Sequence, residues 1–245
     1  MIVAGVWGAL AASFLLMGSL LAFAVWIPPR IVGLVLAFGA GTLFGAVAYE
    51  LIAEAVRLSV TGVDVSLGFA AGAVVFFVGS VAIDRIGSDD RDPDERGARD
   101  ASRRGLALVL GSVLDGLPES IVLGLSFVPG AGVGIPVLVA IAVSNVPEGL
   151  SATLDLVESG VPRRRIVRLW LLVTLASGFA AAFGYGVLGE LGTSVVVSLD
   201  AFAAGAILAM LAESMIPEAY ESGGRAVGLA TCLGFAVAAY LPLST

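Results

Sequence analysis

The chain contains no histidine, and its 13 basic residues are all arginine, so lysine is absent as well. Without histidine, the most frequent general base and the most frequent transition-metal ligand are missing. Cysteine occurs once, at Cys232, which excludes an internal disulfide and any Cys-x-x-Cys metal or redox motif. Cys232 lies in an apolar run and is expected to be a small packing residue. Charge is scarce: 13% of the residues are charged, against about 25% in a soluble domain. No phosphate-binding loop, dinucleotide fingerprint, Ser-His-Asp set or nucleic-acid surface appears. These absences argue against an enzyme, a prosthetic group and a nucleic-acid partner.

What the chain has is hydrophobic length. Of its 245 residues, 58% are hydrophobic, and the mean hydropathy is +1.02. Several apolar runs exceed the roughly 18 residues that cross a bilayer as a helix. Eight segments are expected, at about 2–27, 30–56, 66–84, 105–128, 133–157, 166–189, 197–217 and 224–243. The fold class is therefore an all-α polytopic membrane protein with eight transmembrane helices, one transmembrane domain over 1–245 with the lipid bilayer as its surroundings. One polar loop interrupts it at about 85–104. The first run has no basic n-region and is too long for a signal-peptide core, so it reads as a spanning helix. Turn signals separate the segments at Pro28-Pro29, Thr61-Gly62, Pro129-Gly130, Gly160-Val161-Pro162 and Gly223-Gly224.

Arginine sets the expected orientation. The connections after segments 1, 3, 5 and 7 carry 12 arginines, namely Arg30, Arg85, Arg91, Arg96, Arg99, Arg103, Arg104, Arg163, Arg164, Arg165, Arg168 and Arg225; the opposite side carries only Arg57. The basic side is expected to be cytoplasmic, with both termini outside the cell membrane. An internal repeat accompanies this. Residues 37–55 match 201–219 at an offset of 164 (201 minus 37), including Phe38/Phe202, Ile52/Ile216 and Glu54/Glu218. Leu117-Pro118-Glu119 is echoed by Val146-Pro147-Glu148. The paired segments cross in opposite directions, as in an inverted-repeat 3+2+3 helix bundle, a transporter pattern. Small residues such as Gly41/Gly45 and Gly68/Gly72 permit close packing within the bundle, or a homodimer.

Charge inside the apolar segments is the sharpest signal. Asp115 and Glu119 lie near the middle of the fourth segment and Glu148 near the middle of the fifth. Each costs about 2.5–3.5 kcal/mol at the bilayer centre on insertion scales. No arginine in either interior neutralises them, so a proton or a mobile cation has to. Asp115 and Glu119 are spaced i,i+4, as are Ser144 and Glu148, while Asn145 and Glu148 are i,i+3. Facing each other, the two motifs would make a cage of carboxylate, amide and hydroxyl oxygens suited to a divalent cation. Pro118 and Pro147 free the carbonyls of Leu114 and Val143, which membrane depth tolerates beside a cavity or an ion. Glu50 and Glu54, and at the other end Glu213 and Glu218, are candidate acidic mouths of a pathway.

At Asp115-Gly116-Leu117-Pro118-Glu119-Ser120 and Ser144-Asn145-Val146-Pro147-Glu148-Gly149 the sequence resembles the ZIP family of zinc and iron transporters. The stretch 201–219 resembles the family's seventh helix. The resemblance implies a divalent metal (zinc, iron or manganese) as transported substrate, import into the cytoplasm, and Asp115, Glu119, Ser144, Asn145 and Glu148 as its ligands. Both motif histidines are replaced, by Asp115 and Ser144, the helix-4 asparagine by Gly116, and the sixth segment offers only Ser177 in place of an acid. Oxygen ligands harden the site, so zinc preference is expected to relax toward manganese or ferrous iron. The alternatives are a proton-linked carrier of a small organic cation, disfavoured because Phe127 is the only aromatic residue of segments four and five, and a non-transporting sensor or scaffold.

Overall fold

In a bilayer a backbone N–H has no water to turn to, so a long apolar run closes its hydrogen bonds within itself. The computed structural model describes residues 1–87, 98–127 and 135–240, and among these every regular element is helical. The order is α1 (Ile2–Ala24), α2 (Pro29–Ala46), α3 (Ala53–Leu58), α4 (Val63–Gly87), α5 (Ala98–Leu125), α6 (Ile135–Glu158), α7 (Arg163–Gly186), α8 (Thr193–Met210), α9 (Ile216–Gly223) and α10 (Val227–Tyr240). Two π-helical turns, Val47–Ile52 and Leu211–Met215, carry α2 into α3 and α8 into α9. Among the described residues six helical stretches are long and apolar enough to cross a membrane: Ile2–Ala24, Pro29–Leu58, Val63–Arg85, Ile135–Glu158, Arg163–Gly186 and Ser194–Tyr240.

Local chemistry explains the ends. Pro29 sits in the first turn of α2, where its missing N–H removes no helical bond. Gly62, Gly160 and Gly224 adopt φ of 71°, 79° and 66°, a conformation that a side chain disfavours, at three of the expected turns. The Pro129-Gly130 signal lies outside the described residues. The expected polar loop at 85–104 is corrected at both ends: α4 runs to Gly87 and α5 starts at Ala98. Arginine is a good helix former, and a helix past the apolar layer meets no penalty for charge. Residues 88–97, with Arg91 and Arg96, are not among those described. Cys232 is also corrected: it is exposed, on the same outer apolar face of α10 as Leu229 and Leu233, and not in the packing.

The bundle is held by small residues. α1 packs on α6 and α7, α2 on α6 and α10, α4 on α8, and α5 on α7. In four of these pairs the glycines are reciprocal. A methyl on Gly41 of α2 would overlap the Thr231 carbonyl of α10, and one on Gly234 of α10 would overlap the Phe38 carbonyl of α2. Gly205 of α8 and Gly72 of α4 meet the carbonyls of Phe69 and Phe202 in the same way. Gly18 of α1 and Gly149 of α6 meet those of Val146 and Leu15; Gly124 of α5 and Gly184 of α7 meet those of Ala181 and Ile121. Backbones at that distance gain dispersion contacts that larger side chains would forbid. Gly41, Gly68 and Gly72 thus serve packing inside the chain.

The main core combines Leu36, Ala37 and Ala40 of α2, Val122 and Leu123 of α5, and Ala203, Ala204 and Ile207 of α8. A second cluster surrounds Trp170 of α7, whose Nε1 donates to Thr153 Oγ1 at 2.9 Å. At one end of the bundle Ala55, Val65, Val197 and Ala201 come together. At the other, Gly33 near the start of α2 lies against Ser222 and Gly223, which brings Arg30 and Arg225 to a common end.

Candidate cation site

α5 and α6 each run through an internal proline, Pro118 and Pro147. Neither proline has an N–H to give the preceding turn, and each is followed by a glutamate. Four of the five expected ligands on these helices divide between two spaces that share no lining residue.

Asp115 and Glu148 line a cavity of about 690 Å³. From this pair, the cavity reaches Asp84 at the end of α4 and Glu158 at the end of α6, the helix ends next to Arg85 and the Arg163 turn. Asp155, Glu213 and Glu218 line it too, so among the described residues its wall carries seven carboxylates and no arginine. Two of them are held by hydroxyls. Ser80 Oγ donates to Glu213 Oε2 at 2.7 Å, and Ser151 Oγ donates to Glu218. Met210 and Met215 of the α8–α9 rod add a softer face. A wall of this composition concentrates cations and repels anions.

Glu119 and Asn145 face the other way, into a small space among α1, α5, α6 and α7. Glu119 is 3% exposed, and its Oε1 has no hydrogen-bond partner. Asn145 Nδ2 donates to the Ala11 carbonyl of α1 at 2.9 Å. Ser144 lines neither space: it is fully buried, its Oγ donates to the Ile141 carbonyl at 2.9 Å, and its Cα packs toward Gly39 of α2. Among the described residues no three acidic or cysteine side chains converge closely enough to hold a metal ion in this arrangement.

Glu50 and Glu54 lie on the opposite side, in the π-turn and α3. Glu54 is paired with Arg57, with Nη2 to Oε1 at 2.5 Å, while Glu50 is buried. Sequence reasoning passed over Asp200 of α8. It is 3% exposed, its Oδ1 has no partner, and its charged neighbour is Glu54. Its signal was an acid inside an apolar segment with no basic residue nearby to answer it.

Comparison with known proteins gives two matches. A family model described as ZIP zinc transporter matches residues 84–241. A protein of Arabidopsis thaliana, named as a candidate zinc transporter, is 27% identical over 232 residues, which cover 94% of this chain and 36% of that relative. The chain thus spans about a third of the length of the relative it matches.

Proposed function

The chain belongs to the ZIP zinc transporter family, and on that premise we propose that it carries a divalent metal cation across the membrane into the cytoplasm. The observation that carries this reading is that Asp115 and Glu148 stand together at the head of a cavity lined by seven carboxylates. We assign the cation to Asp115, Glu119, Ser144, Asn145 and Glu148. Asp115 and Glu148 are its contacts from the cavity, and the other three join when α5 and α6 shift against their neighbours. Glu213 and Glu218 form the mouth on the basic side; Glu50 and Glu54 belong to the opposite mouth. Carboxylates in place of imidazole favour manganese or ferrous iron relative to zinc, with Met215 retaining some affinity for softer ions.

Eight crossings fit this reading: the Ser194–Tyr240 stretch divides at Gly224, and α5 adds one more. An inverted 3+2+3 repeat is supported by the packing. Exchanging α2 with α8 and α4 with α10 turns one glycine pair into another, Gly41 into Gly205 and Phe38 into Phe202. Exchanging α1 with α7 and α5 with α6 does the same for Gly18 and Gly184, and for Gly149 and Gly124. The π-turns begin at Val47 and Leu211, again 164 residues apart (211 minus 47). The two units would rock about the site to alternate access, with the basic end cytoplasmic and both termini outside.

Uptake into proteoliposomes, comparing manganese, iron, zinc and magnesium, tests the proposal. Glu148→Gln is expected to lower uptake at least tenfold, and Asp115→Ala to do likewise, in protein that remains folded. Uptake that survives both substitutions would move the pathway elsewhere, and no uptake of any metal by folded protein would return the chain to the sensor or scaffold reading.

A further inference from the structure

α7 opens on a cluster of exposed basic side chains, Arg163, Arg164, Arg165 and Arg168. Arg163 is turned toward α1, its Cζ 5.1 Å from the centre of the Phe23 ring. Arg164 and Arg168 are spaced i,i+4, and the same row continues through Leu172, Leu175 and Phe179. At 3.6 residues per turn these five positions keep within a stripe about 80° wide. The stripe is the outer one. Leu172 is 67% exposed, Leu175 58% and Phe179 76%, whereas Ile166, Trp170, Val173 and Ser177 on the opposite face are buried. By helical rise Phe179 lies about 16 Å beyond Arg168, close to the roughly 15 Å of hydrocarbon in one leaflet. The acids that precede α7, Asp155 and Glu158, line the cavity, and among the described residues the one ion pair is Arg57 with Glu54.

We propose that this stripe binds one anionic phospholipid, its phosphate held by Arg164 and Arg168 and an acyl chain laid along Leu172, Leu175 and Phe179. Charge and length together select that occupant. Guanidinium groups match phosphate oxygens in pairs, and two of them ask for a partner with net negative charge. A nucleic acid or an acidic peptide would answer the charge but could not follow the row to the middle of the membrane. A zwitterionic lipid would cover the row but brings no net charge to its head. The stripe shares no residue with the cavity, so the lipid does not depend on what the protein carries.

Native mass spectrometry of the purified protein in detergent provides the test, with phosphatidylglycerol and phosphatidylcholine of equal chain length as probes. Phosphatidylglycerol is expected to leave one retained lipid per chain at a concentration where phosphatidylcholine leaves none. Arg164→Gln with Arg168→Gln is expected to weaken retention roughly tenfold or more. Each substitution alone is expected to weaken it roughly threefold or more, which carries the test where the double variant does not fold. Arg30→Gln with Arg225→Gln removes the same charge from the same end and is expected to leave retention unchanged. Glycerol 3-phosphate, a headgroup without chains, is expected not to compete. Four results would overturn the proposal: equal retention of the two lipids, an equal loss in the Arg30 and Arg225 variant, retention that no substitution at Arg164 or Arg168 weakens, or displacement by glycerol 3-phosphate, which would mean a site for phosphate alone.

Discussion

At the scale of the residue, buried carboxylates outnumber their partners. Asp200 is the plainest case, since it takes no part in either space and one of its oxygens is unpartnered. A charge buried without a partner costs stability. Asp200→Asn removes that charge and is expected to raise the thermal midpoint in detergent by a few degrees, the equivalent of about 1 kcal/mol; a fall of that size would mean that the carboxylate answers a cation. Hydropathy marked Asp115, Glu119 and Glu148 because each interrupts an apolar run, the two glutamates directly after a proline. It could not separate them between two spaces. Residues spaced i,i+4 share a broad face of a helix, and which neighbour that face meets depends on how the other helices cross it. Asn145 and Glu148 diverge for the same reason.

At the scale of the element, long apolar runs left one backbone solution, so the helices were legible from composition alone. Their ends were less so, because a helix leaving the membrane can continue in water, as α5 does at Ala98. The π-turns were not legible at all: one extra residue in a turn leaves the hydropathy of a segment unchanged. Helix contacts were marked by glycine but not assigned to partners. Here the matched contacts make a paired prediction. Gly41→Ala and Gly205→Ala each push a methyl into a backbone carbonyl, and each is expected to cost about 1–3 kcal/mol, read as a lower denaturation midpoint. Costs of similar size support equivalent environments in the two rods, and a neutral result at one of them would separate the rods.

At the scale of the whole molecule, the cavity lies toward the basic end while Glu50, Glu54 and Asp200 lie on the opposite side. Accessibility should follow the same division. In a Cys232→Ser background, Ala152→Cys places a thiol on the cavity wall. It is expected to react with an impermeant thiol reagent from the arginine-bearing side of a sealed vesicle, to be silent from the other, and to slow when manganese is added. Labelling from both sides at equal rates would mean an open channel and not a carrier. The sequence conveyed the arginine bias, but not the direction in which the cavity opens, because both arrangements of the proposed rocking bundle share one sequence.

The two π-turns have a genealogical consequence under the proposed repeat. A π-turn is most simply an extra residue accommodated in an α-helix, and the two stand at matching places 164 residues apart (211 minus 47). An insertion fixed once, in an ancestor of half the length, accounts for both; two separate insertions would have had to strike the same turn twice. That ancestor would have carried three crossings. An odd number obliges the second copy in a tandem fusion to enter the membrane upside down, so the ancestral unit must have been able to insert either way up. The present rods carry two arginines, Arg30 and Arg57 at opposite ends of one of them, and so weak an arginine bias is the composition such a dual inserter requires.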